Sequence, residues 1–371
     1  MEKKIGIITF HNSINYGAVM QTYGLQEYLK KSGYEVEVID YMNKKIEKEL
    51  NSYTSIKINS PKSLVRRVVK NIYRKRKAKV FQKFNLKNLN LSNERNIHIK
   101  NINQLRDRYD VMITGSDQVW NLNLTGNDKT YFLDFAKDTT IKIGYAVSVG
   151  DVSKISLDNV LSEIKKFSAI SIREKTFLEY AKSNYNISAT LCADPTILAG
   201  KEYFDRISSK KLVNVKYIFC FLMENKPEIN QVAKQLSKEY GYKIIDNKSS
   251  VDFFMHCKPE DFLSWIKNAE YVLTDSFHGT VFSVLFQKKF VSDKYDSQGK
   301  IKSRVLDLLT IIGLDKNFIG ISLKNKDAIK DGLLNEIDYR DVNNKLKSFS
   351  NLSGEWLIEA IEGKSDAITK N

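Results

Sequence analysis

Short apolar runs alternate with stretches of helical periodicity along most of the chain. The first run, Ile5, Gly6, Ile7, Ile8, Thr9 and Phe10, is apolar on both alternating faces and predicts a buried parallel strand. A turn rich in Asn and Gly follows, then a helical pattern over 18–31 that Gly33 closes, and an alternating strand over 35–40. This βαβ opening is continued by strands over 111–114, 141–147 and 169–172. A polar stretch over 201–214 reads as a linker between domains. A second alternating unit succeeds it: strand 217–223, helix 229–240, strand 242–246, helix 260–269, strand 271–274, strand 289–292 and helix 303–312.

The predicted fold class is α/β, with two doubly wound Rossmann-like domains facing a cleft. The expected domains are 1–200, carrying a basic helical insertion at 57–90, and 201–340. A helical segment over 341–371 is expected to pack back on the first domain. A chain of 371 residues suits two such cores.

Charge alters this picture in one place. Of the net +15, ten positive charges lie between Lys62 and Lys83, a stretch with no carboxylate. Leu64, Val65, Val68, Val69, Ile72, Tyr73, Val80, Phe81 and Phe84 recur there at helical spacing, which predicts a basic amphipathic helix or helix pair. Two readings stand side by side: peripheral contact of 62–84 with an anionic membrane or ligand, or a solvated polar face on a helix packed against its own domain. Nucleic acid ranks below both, because no recognition motif accompanies the charge. With no apolar run long enough to span a bilayer and no signal-peptide shape at the start, the expected location is the cytoplasm. Cys192, Cys220 and Cys257 are too widely spaced for a disulfide framework or a CxxC site, and no metal site is expected.

Candidate chemistry gathers where strands end. His278, in Thr274-Asp275-Ser276-Phe277-His278-Gly279-Thr280, follows a strand and opens a helix, the place where open α/β sheets hold ligands. Asp275 and Ser276 are positioned to orient its ring, Gly279 to let backbone approach a ligand, and the helix start to receive an anion. A buried imidazole satisfying a core hydrogen bond is the alternative. In the first strand-to-helix turn, His11, Asn12, Asn15, Tyr16 and Gly17 offer a polar surface suited to a sugar; helix capping by Asn15 or Ser13 is the competing use. Ser116, Asp117 and Trp120 follow another strand and suggest a carbohydrate ring stacked on indole, against a satisfied Asp turn beside a partly buried Trp. Arg173 is a candidate clamp for a carboxylate or phosphate, or else a partner of Glu174 or Glu179. Asp194-Pro195-Thr196 reads as a structural turn. Lys294, Lys300, Lys302 and Arg304 lie in or after a polar loop that could hold a phosphate, though most such cations are only solvated.

These motifs together resemble the polysaccharide pyruvyl transferase family. The resemblance is carried by Gly6 to Asn12 with Asn15-Tyr16-Gly17-Ala18, by Thr114 to Asn121, and by Tyr145-Ala146-Val147-Ser148 with Gly150. It continues through Ser171 to Lys175, Ala193 to Thr196 and Thr274 to Thr280, in the family's order from residue 5 to about 310. It implies a fold like that of the two-Rossmann-domain glycosyltransferases and phosphoenolpyruvate as donor, with no other cofactor. The acceptor would be a saccharide, lipid-diphosphate-linked in some systems, receiving pyruvate as a cyclic ketal in cell-surface polysaccharide biosynthesis. By the same resemblance His278 and Arg173 belong to the donor site with a downstream cation, one of Lys300, Lys302 or Arg304; the expected roles are His278 as catalytic acid/base and Ser276 and Gly279 as further donor contacts. His11, Asn12, Asn15, Tyr16, Gly17, Ser116, Asp117 and Trp120 would then line the acceptor side. Another branch has Arg-Leu-His where Ser276-Phe277-His278 stands and Arg-Asp where Arg173-Glu174 stands, so acceptor identity does not carry over. Two other functions compete: a sugar-nucleotide glycosyltransferase of the same fold, and a non-enzymatic protein binding membrane or nucleic acid.

Overall fold

The structure is a computed structural model that describes residues 3–51, 61–293, 303–314, 330 and 333–364. It divides into two compact units, one comprising Met1–Leu198 and Ser353–Asn371, the other Ala199–Leu352.

The first unit is built on a six-stranded sheet of β1 (Lys4–Ile8), β2 (Glu35–Val38), β3 (Val111–Asp117), β4 (Ile141–Val147), β5 (Ala169–Ile172) and β6 (Thr190–Leu191), in the order β2-β1-β3-β4-β5-β6. Every neighbouring pair is parallel. The continuous apolar runs are explained by burial of both faces. Ile5, Ile7, Val111, Ile113, Ile143 and Tyr145 point into one layer with Leu25, Leu29, Trp356 and Leu357. Ile8, Met112 and Val147 point into the other with Trp120, Phe132 and Phe177. The second layer of helix reaches the sheet late in the chain: the helix Tyr339–Glu362 places Trp356, Leu357, Ala360 and Ile361 in this core, and the Ser353 hydroxyl accepts the Ala193 N–H at 2.9 Å.

The second unit carries a four-stranded, all-parallel sheet of β7 (Tyr217–Phe221), β8 (Lys243–Asp246), β9 (Tyr271–Thr274) and β10 (Lys289–Ser292), in the order β10-β9-β7-β8. Alternation again sorts its core: Ile218 and Cys220 face Val232 and Leu236 of the helix Pro227–Tyr240, whereas Phe219 contacts Trp265, Phe262 and Phe253.

Two local expectations change. Part of the polar stretch expected as a linker, Lys201–Ile207, is a helix of the second unit, held by Phe204 against Phe282 with ring centroids 4.9 Å apart. Burial of Phe204, in a segment where Lys201, Glu202 and Arg206 stay exposed, anchors it. The basic segment is one helix, Pro61–Asn88, and not a pair. Its last third is packed: Phe81 and Phe84 are buried, their rings meeting Tyr16 and Tyr23.

Candidate functional site

Each unit gathers its polar residues at the carboxyl edge of its sheet. In the first unit the edge is closed by side chains that satisfy strand-end backbone groups, as buried amides and carbonyls demand. Thr9 Oγ1 donates to the Ser116 carbonyl at 3.0 Å and accepts from Gln21 Nε2 at 2.8 Å; the Ser116 N–H donates to Gln21 Oε1 at 3.0 Å. Ser116 Oγ donates to the Ala146 carbonyl at 2.8 Å. Here β3 and β4 take unusual backbone angles, with Asp117 at φ 77° and Ala146 at φ 45°. Gly115 cannot be replaced, since a Cβ there would sit 2.3 Å from the Tyr145 carbonyl oxygen.

Arg173, just beyond β5, lies at the centre of this edge and is buried. Its Nη1 donates to Asp194 at 2.7 Å and to Ser116 Oγ at 3.4 Å, Nη2 is 3.6 Å from Asp117, and Nε is 3.8 Å from Glu174. Burial alone would lower the Arg173 pKa; Asp194, Glu174 and Asp117 outweigh it and raise it. The expected anion clamp is therefore corrected. Three carboxylates surround one guanidinium, so the local balance opposes an incoming anion, and the planar fork is committed to tying β3, β5 and the turn at Asp194 together. Asp194, expected only to make a turn, does that as well by accepting from the Thr196 N–H and hydroxyl at 2.9 and 2.6 Å.

The acceptor-side candidates are largely spent in the same way. Trp120 is fully buried, stacked on Phe132 with centroids 5.3 Å apart and edge-on to Phe167 and Phe177, so it is core and not a sugar platform. His11 is fully buried, its Nε2 3.0 Å from Asp40 Oδ1. Asn15 caps its helix by accepting from the Gly17 and Ala18 N–H groups at 2.9 and 3.4 Å, which also accounts for Gly17. Tyr16 is buried beneath Phe81, with Lys77 Nζ 4.2 Å from its ring centroid. Ser116 and Asp117 are buried beside Arg173. Asn12 lines a small recess shared with Ser13, Phe10, Tyr41, Asn43 and Tyr131. The polar floor next to it, where the Tyr41 hydroxyl and Asn43 Nδ2 both donate to Asp128 at 2.5 and 2.7 Å, carries no sequence motif.

Asp40 makes this edge acid-sensitive. Burial would raise its pKa, but hydrogen bonds from His11, the Asn96 N–H and Asn12 hold it at about 2. A folded-state value below the ordinary carboxylate value of about 3.9 stabilises the fold above that pH and is lost as pH falls through about 2. Asp40→Asn should accordingly flatten the fall in stability between about pH 4 and about pH 2, measured by urea unfolding at each pH.

In the second unit the edge is organised around the start of the helix Phe277–Leu285. Ser276 is its N-cap, accepting the Gly279 N–H at 3.4 Å. Asp275 receives the Met223 and Glu224 N–H groups at 2.6 and 3.0 Å and so fixes the loop after β7. Thr274 Oγ1 donates to the Phe221 carbonyl at 2.8 Å, and Thr280 and Ser292 hydroxyls meet at 2.5 Å. Gly279 is needed for a reason other than the one expected. A Cβ there would lie 2.3 Å from Thr274 Oγ1, so the glycine lets the helix sit against β9. His278 is the second residue of this helix, half-buried and edge-on to Phe277 at 5.1 Å. Lys300 and Lys302 lie outside the described residues, as does Lys294; Arg304 is half-buried in the helix Ser303–Ile311.

A buried cation at this edge has no motif in the sequence. Lys226, in the loop after β7, pairs with Asp293 at 2.8 Å and Glu224 at 3.5 Å. Burial would lower its pKa, but Asp293, Glu224 and Asp275 raise it. The one sequence signal was position: Asp293 directly follows β10, as His278 follows β9. Among the described residues no group of three or more His, Cys, Asp or Glu side chains is arranged to hold a metal.

The family model for polysaccharide pyruvyl transferase matches residues 15–297, a span that includes Arg173 and His278. No curated protein sequence matches the chain. Solved structures share its fold at low identity. A UDP-GlcNAc 2-epimerase from Methanocaldococcus jannaschii is 14% identical, with a TM-score of 0.51 over 98% of this chain and 99% of that one. An alpha-glucosyltransferase solved with UDP and a 13-mer DNA is 10% identical, with a TM-score of 0.51 over 98% of this chain and 100% of that one. This likeness establishes the GT-B-type α/β fold and nothing finer.

Proposed function

Because the chain belongs to the polysaccharide pyruvyl transferase family, we propose that it moves the enolpyruvyl group of phosphoenolpyruvate onto two hydroxyls of one sugar, forming a cyclic ketal. The observation that carries this reading is the family match across 15–297, which includes the His278 edge. The half-buried setting of His278 at a helix start beyond β9 supports it as the acid/base.

The reaction divides into balanced steps. His278 protonates the methylene carbon of the donor, which becomes a methyl group and leaves an oxocarbenium-like centre at C2. A first sugar hydroxyl attacks C2 and returns its proton to the imidazole. The C2–O bond to phosphate breaks, and a second hydroxyl closes the ketal as its proton leaves with the phosphate. Stabilising the departing anion requires fixed positive charge or aimed N–H groups. We assign this to the second unit, to the helix start at Ser276–Gly279 and to a cation among Lys300, Lys302 and Arg304. Arg173 takes a positioning role, holding Asp117, Glu174 and Asp194 in place. Asn12 is retained as the acceptor-side contact, since it is half-buried just beyond β1.

Ketal closure needs two hydroxyls on the acceptor. Phosphate release from phosphoenolpyruvate should therefore proceed with a saccharide presenting a suitable hydroxyl pair, and no ketal should form when one of the pair is replaced by hydrogen. Turnover to a stable product with the singly deoxygenated acceptor would contradict the proposal.

A further inference from the structure

The basic helix Pro61–Asn88 has two faces used at different points along its length. Its last third is seated on the first unit: Phe81, Phe84 and Asn85 are buried, and Asn85 Nδ2 donates to the His11 carbonyl at 2.8 Å. Its first half carries Leu64, Val65, Val68, Val69 and Ile72, which are 46%, 62%, 48%, 54% and 63% exposed. An aliphatic stripe packed on its own domain would be buried, and this one is not.

Helix geometry accounts for the difference. Ile72 and Phe81 are nine positions apart, about two and a half turns at 3.6 residues per turn, so they lie on opposite sides of the helix. The side that seats Phe81 thus turns the aliphatic stripe outward. The stripe spans about 12 Å, at 1.5 Å per residue from Leu64 to Ile72. One heptad beyond Val68, Val69 and Ile72, on nearly the same side, stand Lys75, Arg76 and Lys79, all exposed. One line along the helix surface therefore changes from aliphatic to cationic.

We infer that this helix docks the protein on a bilayer surface containing anionic lipid, with the aliphatic stripe at the acyl boundary and Lys75, Arg76 and Lys79 at the headgroup phosphates. Apolar residues on one line with cations next to them, in a segment of ten positive charges without a carboxylate, match such a surface in both chemistry and sign. The same charge argues against a second copy as the occupant, because two such helices would repel. No helix among the described residues is long and apolar enough to cross a membrane, so the contact is peripheral. This inference does not rest on pyruvyl transfer.

Co-sedimentation with phosphatidylcholine vesicles, with and without phosphatidylglycerol, tests it. Binding should be on the order of tenfold stronger to the anionic vesicles and should weaken as salt rises. The variant Val65→Ser/Val69→Ser/Ile72→Ser should lose on the order of tenfold in binding while keeping its melting temperature and its turnover of a soluble acceptor. Trp120, Trp265 and Trp356 are all buried, so Val69→Trp supplies a surface reporter whose emission should shift to the blue on anionic vesicles. Four results would overturn the inference: equal binding to both vesicles, vesicle binding by the triple-serine variant equal to that of the parent, no emission shift from Val69→Trp, or a concentration-dependent dimer that the triple substitution abolishes. Tighter binding to duplex nucleic acid, with no vesicle binding, would overturn it as well.

Discussion

Arg173→Met should cost the first unit about 3–5 kcal/mol, the range for removing one partner of a buried ion pair. Arg173 is buried between Asp117, Glu174 and Asp194, and methionine would leave three carboxylates facing one another without a counter-charge. At least one of them would then hold a proton at an abnormally high pH. The folded variant would bind more protons than its unfolded chain, so its stability should rise as pH is lowered from 7 toward about 5. Urea unfolding across that range checks both the size and the sign. An open anion clamp at Arg173 would behave differently: the variant would melt like the parent at every pH and lose only affinity for the donor.

His278→Ala should leave the fold intact and lower turnover with phosphoenolpyruvate by about 10²–10⁴-fold, the usual contribution of a positioned general acid/base. The ring is half-buried and its helix is capped by Ser276, not by the imidazole, so the substitution leaves that support in place. His278→Gln, which keeps a polar side chain of similar size but cannot shuttle the proton, should be as inactive as the alanine variant. Full turnover in either one would remove His278 from the chemistry.

The difference between these two residues shows what a sequence can carry about a site. Both lie at a strand-to-helix junction, and that placement is legible from apolar runs and the turn between them. What surrounds each side chain was not legible. Arg173 is neutralised by Asp194, 21 positions further on, and by Asp117, 56 positions before it. Such pairings are created by strand order, which local pattern does not encode. The same limit explains Trp120: an indole beside Asp and Gln reads as a sugar platform until the layer containing Phe132, Phe167 and Phe177 closes over it. Lys226 is illegible for the opposite reason. A lysine before Pro227 is indistinguishable from any loop cation until the fold brings Asp293 to it.

The fold itself was far more legible, because β1, β3 and β7 are buried on both faces and their residues are apolar without interruption over several positions. The basic helix was legible as an amphipathic element, but which of its faces met the protein depended on where along its length the packing fell. Phe81 and Phe84 took the domain side, and the Leu64–Ile72 stripe was left outside.

The central claim is donor chemistry, and the mass spectrum of a saccharide acceptor after incubation with the protein and either phosphoenolpyruvate or a sugar nucleotide tests it most directly. With phosphoenolpyruvate the acceptor should gain one ketal-linked pyruvyl group, with one phosphate released for each, and with the sugar nucleotide it should be unchanged. A glycosylated acceptor with the sugar nucleotide, and an unmodified one with phosphoenolpyruvate, would contradict the account.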